Sequence, residues 1–157
     1  MRATPTTVLA DWLAQLPDGV TGAEYAQLPE ETCRRIEIID GAVLVRPAPR
    51  RSHQAVARGV ANLLAANRSV AHSVVTNMDL RLREIPLLNR RPDVVVYDSR
   101  PPDDEVLRPE HCLLVVEVVS PDRLDPVAGR YKSAGAHTDR LVTSAPFAVF
   151  ADLAELG

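Results

Sequence analysis

The sequence predicts an α/β (α+β) domain in which a mixed central β-sheet is flanked by helices, with an N-terminal helix and a β-hairpin as an extension. Three observations carry that expectation. RRIEIIDGAVLVRP sets two β-branched runs around Asp40-Gly41, a dipeptide that supplies the positive φ values of a tight hairpin turn. Val56, Val60, Leu63, Leu64 and Asn67 recur at helical spacing across residues 53–67. PDVVVYD and LLVVEVVS are short valine-rich runs of the kind that suits strands buried on both faces. Hairpin, helix and strands in this order favour a sheet covered by helices over an all-α or all-β arrangement.

Taken along the chain, Val8, Leu9, Trp12, Leu13 and Leu16 share one side of a short amphipathic helix over residues 6–16. A further helical turn or two is expected over Ala23 to Leu28. The hairpin ends at Pro47 and Pro49, and Ser52 is a suitable cap for the helix that follows. AHSVVTNMDLRLRE alternates as extended chain between Ala71 and Arg83. Pro86 to Pro92 reads as a loop, and SRPPDDEVLRPEH, with three prolines and four acids, as a surface connection. Beyond Pro121 a helix near Leu124 to Ala134 is weakened by Pro126 and Gly129. APFAVFAD is a candidate last strand.

A chain of 157 residues amounts to one domain. Within residues 1–157, the helix and hairpin extension covers 1–50, the core 51–135 and an atypical tail 136–157. The formal charge of −3 excludes a generally cationic protein. Between Arg46 and Arg91, however, nine arginines face only Asp79 and Glu84. That stretch is either a phosphate-binding patch or a solvated face neutralised by the acidic segments. No apolar run approaches the ~18 residues of a membrane span, and TTVLADWLAQL, broken by Asp11 and Gln15, lacks a signal-peptide pattern. The cytoplasm is therefore the expected compartment. Cys33 and Cys112 are too few and too distant for a zinc ribbon or a redox pair, and the four histidines show no ligand spacing.

Two acids stand where a dry strand would exclude them. Asp93 opens VVVY directly after Pro92, and Glu117 interrupts the second valine run. An isolated buried carboxylate costs several kcal/mol, so it is normally neutralised, hydrogen-bonded or bound to a cation. Neighbouring strands would bring the two together, and a hard divalent ion between them would relieve their repulsion. Mg²⁺ takes one or two carboxylates plus waters and a substrate phosphate. The pair thus reads as a magnesium site for a phosphodiester, against the alternative of acids paired with arginine or capping a turn.

The succession RIEIIDG, SHQAV, RPDVVVYD and LLVVEVVSPD resembles the bacterial Uma-two family of the PD-(D/E)xK nuclease superfamily, from about Leu28 to Gly135. The resemblance implies a restriction-endonuclease-like fold and a metal-dependent endonuclease that hydrolyses DNA with Mg²⁺, or Mn²⁺ in its place. By that resemblance Asp93 and Glu117 bind the metal together with the backbone carbonyl of Val118. Glu37 matches an acid beside the site, and His53 the histidine at the start of the first core helix. A homodimer is left open.

Two departures from the family pattern stand out. Val119 occupies the third position of the (D/E)xK motif, and Val127 the place on the following helix where the family's lysine usually falls. Lys132, the only lysine in the chain, lies beside Tyr131 in that segment and is the candidate catalytic cation. The ending AHTDRLVTSAPFAVFADLAELG also differs from the family's usual continuation. The alternative to an active nuclease is a degenerate nuclease fold that acts as a DNA-binding or protein-interaction module.

Overall fold

A computed structural model of the chain describes residues 19–118, 140–143 and 149–152. The expected helices over 6–16 and 124–134, together with Tyr131 and Lys132, lie outside these residues. The described residues fall into two compact units, one drawn from 19–48 and 81–91, the other from 49–80, 92–118, 140–143 and 149–152.

The first unit opens with α1 (Gly22–Ala26), started by a reciprocal cap between Thr21 and Glu24. The Glu24 amide donates to Thr21 Oγ1 at 3.3 Å, and the Thr21 amide donates to Glu24 Oε2 at 2.8 Å. A single helical turn, α2 (Glu30–Cys33), follows Pro29. Strands β1 (Ile36–Ile39) and β2 (Ala42–Val45) then form the expected hairpin, antiparallel with Ile39 opposite Ala42. Asp40 at φ 52° and Gly41 at φ 82° make its two-residue turn.

With β4 (Leu80–Arg83) and β5 (Leu88–Arg90), the hairpin builds a four-stranded sheet in the order β2-β1-β5-β4. Ile36 and Ile38 project from one face of β1 into a core with Val20, Tyr25, Cys33 and Leu87. Glu37 takes the opposite face and is nonetheless buried, at 3% exposure.

The second unit is organised by α3 (Arg51–Asn67), 17 residues long. Val56, Val60 and Leu64 fall on one side of it and pack on a three-stranded sheet. That sheet runs in the order β3-β6-β7, from β3 (His72–Thr76), β6 (Val94–Asp98) and β7 (Cys112–Val116). Val94 and Val96 meet the helix, and Val74, Leu114 and Val116 extend the contact. Each fully buried aliphatic side chain contributes about 1.5–3 kcal/mol, so these contacts anchor α3 to the sheet. Two further strands, β8 (Arg140–Thr143) and β9 (Val149–Asp152), pair with each other, and Val149 joins the core beneath α3.

Several expectations change. Instead of one mixed central sheet, the described strands form separate sheets in which β1 pairs with β2 and β5, β3 with β6, β6 with β7 and β8 with β9, all antiparallel. An isolated bridge from Leu80 to Leu107 is parallel. Parallel neighbours need a long crossover, usually a helix, whereas the proline-rich link from β6 to β7 holds only a 3-10 turn at Pro109–His111.

The supposed loop from Pro86 to Pro92 contains β5. Ser52 lies inside α3, whose capping position is Arg50 without a side-chain cap. LLVVEVVS is not a doubly buried strand either: β7 stops at Val116, its residues are mostly half-buried, and Leu113 is 44% exposed. Among the described residues no helix is long and apolar enough to cross a membrane.

Candidate functional site

Asp93 sits at the entrance to β6, the middle strand of its sheet, where the chain leaves Pro92. Both neighbouring strands reach it. On the β3 side, the amide of Asn77 donates to the Asp93 carbonyl at 3.3 Å. On the β7 side, the amide of Val118 donates to Asp93 Oδ2 at 2.8 Å. From the helix, His53 Nε2 lies 2.9 Å from Oδ1. The Asp93 side chain is 4% exposed and that of His53 19%, so the contact forms almost out of water. Hydrogen bonds of this kind offset the cost of burying a carboxylate.

The packing of α3 explains why these groups meet. Val56, Val60 and Leu64 press α3 onto β6, and His53 is one turn upstream of that apolar stripe. Helix packing therefore delivers the imidazole to the start of the strand.

Glu117 is one residue past the end of β7 and half-buried. The last register pair is Val94 opposite Val116. Asp93 directly precedes Val94 and Glu117 directly follows Val116, so the two acids are the chain neighbours of the ladder's last pair. Val118 was expected to contribute its carbonyl; its amide holds Asp93 as well.

Glu37 belongs to the first unit, and its partners there are arginines. Oε1 accepts the Arg91 amide at 2.9 Å and lies 3.6 Å from Arg46 Nη1. Arg90 Nε lies 3.2 Å from Oε2 but off the hydrogen-bonding direction, so that contact is coulombic. Arg91 turns its guanidinium to Glu30 at 2.8 Å.

The arginine-rich stretch is thus divided. Arg46, Arg81, Arg83, Arg90 and Arg91 pair with acids. Arg50, Arg51, Arg58 and Arg68 are exposed on or beside α3.

The carboxylates of Asp93 and Glu117 are oxygen ligands, which suit a hard cation such as Mg²⁺ rather than a thiolate-loving one. Among the described residues no three His, Cys, Asp or Glu side chains are grouped as ready-made metal ligands. Two carboxylates completed by a backbone carbonyl, water and substrate oxygens is the ligand pattern that Mg²⁺ commonly accepts. The backbone donors of Asn77 and Val118 were not foreseen, because every residue but proline carries an amide N–H and none marks its target in the sequence.

Comparison with known proteins adds two findings. The family described as "Uma2: Putative restriction endonuclease" matches residues 23–132. Among solved structures the chain is similar to "a putative nuclease belonging to DUF820 from Anabaena variabilis ATCC 29413", with a TM-score of 0.50 and 20% sequence identity. That match covers 66% of this chain and 60% of the solved one, and at this identity it is a likeness of fold. No curated protein matches the sequence.

Proposed function

The chain belongs to the Uma2 family, and on that premise we propose that it is a Mg²⁺-dependent endonuclease, hydrolysing DNA phosphodiester bonds at a centre built on Asp93 and Glu117. The observation that carries this reading is the buried Asp93 carboxylate, held by His53 and by the amide of Val118, the residue that follows Glu117.

In this reading Asp93 and Glu117 supply oxygen ligands and the Val118 carbonyl a third. Bound there, the ion supplies a more acidic water and neutralises charge on the phosphoryl oxygens. The valines of β6 limit water on one side, which strengthens each charge interaction at the site. Arg50, Arg51 and Arg58, exposed on or beside α3, would meet the DNA backbone in this reading, since guanidinium forks pair with phosphate. Lys132 keeps its assignment from the sequence as the cation that orients water or stabilises charge. Glu37 enters through the ion pairs that shape its own unit.

Supercoiled plasmid incubated with the protein and Mg²⁺ or Mn²⁺ is expected to be nicked by wild type and spared by Asp93→Ala. Equal cutting by both would sink the assignment.

Val119, in place of the motif's basic residue, favours one second reading: a protein that keeps the fold and binds DNA without cutting it. It predicts DNA retention that weakens steeply with salt and no cleavage with either metal.

A further inference from the structure

We infer that His53 is the positioning residue of this centre: its Nε2–H and the Val118 N–H grip the two oxygens of Asp93 from different elements and fix the carboxylate plane, while the imidazole stays off the metal. The inference rests on the proposed metal-binding role of Asp93.

The 2.9 Å contact fits His53 Nε2–H donating to Oδ1, the tautomer required by an ionised carboxylate, which can only accept hydrogen bonds. A nitrogen that carries a proton has no lone pair in the ring plane for a metal. The torsion that turns an aspartate carboxylate is broad and roughly two-fold, leaving its plane poorly defined unless neighbours define it. Here Oδ1 is fixed from α3 and Oδ2 from the residue after Glu117.

Both anchors are tied into the packed unit. The helix is bound to the sheet through Val60 and Leu64, and Val118 follows directly on β7 and Glu117. Partners of this kind, which orient a ligand without touching the metal, typically account for about 10–100-fold in metal affinity.

Mn²⁺ titration calorimetry on the full chain tests the assignment with His53→Ala, His53→Gln and Asp93→Asn. Glutamine places an N–H donor near the position of Nε2, so His53→Gln is expected to recover most of the affinity that His53→Ala loses, with His53→Ala weakened about 10–100-fold. Imidazole ¹⁵N NMR of the wild type supplies a readout that needs no variant to fold. Nε2 is expected to remain protonated both without metal and with Mg²⁺ bound.

Loss of the Nε2 proton on adding Mg²⁺ would overturn the inference by making His53 a ligand. So would a His53→Gln variant as weak as His53→Ala, or a folded His53→Ala that binds like wild type. Wild-type affinity in Asp93→Asn would instead bring down the metal-site reading itself, and this inference with it.

Discussion

The amide of Val118 donates to Asp93 Oδ2 at 2.8 Å, tying the entrance of β6 to the chain just beyond Glu117. Val118→Pro removes that donor while leaving the strand before it in place. A hydrogen bond to a charged group contributes about 1.5–3 kcal/mol, and the variant should lose stability of that order in urea denaturation. It should also bind Mn²⁺ more weakly, which calorimetry on the folded variant would read.

Glu37 is the buried counter-charge for Arg46 and Arg90. Glu37→Gln keeps an acceptor for the Arg91 amide but leaves two guanidinium groups without their carboxylate. Removing one partner of a buried pair costs about 3–5 kcal/mol, and chemical denaturation should show a loss near the lower end of that range. A variant with wild-type stability and no cleavage would return Glu37 to the chemistry its sequence context suggests.

The hairpin turn depends on Gly41, at φ 82°, and its neighbour Gly19, at φ 88°, where an added Cβ would lie 3.0 Å from the Gly41 carbonyl oxygen. Left-handed backbone costs a residue with a Cβ about 1–2 kcal/mol. Gly41→Ala should therefore lower the melting temperature by a few degrees, at roughly 2–4 °C per kcal/mol for a chain of this size. Gly19→Ala should lower it more, because strain and crowding coincide there. Asp40→Gly should be nearly neutral by the same calorimetric measurement.

The Arg91 hydrogen bond holds the Glu30 carboxyl below its ordinary range, against a smaller opposing effect of burial and with help from Arg34. Because the folded-state value is depressed, this pairing stabilises the protein above the unfolded carboxylate value. The stabilisation is lost as pH falls through the folded value. Glu30 is 58% exposed, so solvent screening keeps the effect below about 1 kcal/mol. Urea midpoints measured between pH 6 and pH 3 should fall less steeply for Glu30→Gln than for wild type.

Burial pushes the Cys112 thiol up to about 11, and the charge of Glu110 adds to the shift. The thiolate is the reactive form, so little of it exists near neutrality. Iodoacetamide at pH 8 should leave Cys112 largely unmodified in the folded protein, and Cys33, also buried, should behave alike. Both should alkylate readily in denaturant, which mass spectrometry would count.

The elements with strong periodic signals were legible in the sequence. Asp40-Gly41 marked the hairpin, Val56 and Val60 the long helix, and the valines after Asp93 the buried strand. Strand β5 was not, because Asn89 and Arg90 resemble loop residues until Glu37 and its arginines bury them. Hydrophobic patterning cannot report a polar face that becomes dry through ion pairing. The same limit applied to Glu117, whose apolar flanks suggested enclosure although the strand ends one residue before it. At the site, the resemblance singled out His53 and Asp93 separately, and neither their contact nor the amide donors had a sequence signature.

Asp93 is gripped by three segments that lie far apart along the chain: the start of α3, the end of β3 and the exit of β7. A newly made polypeptide acquires that grip only once all three have docked. Its carboxylate is therefore oriented only in the assembled fold, because His53 and Val118, which fix its two oxygens, come from different segments. In the proposed nuclease, competence to cut would arrive with the finished fold, which spares the genome an unfinished enzyme.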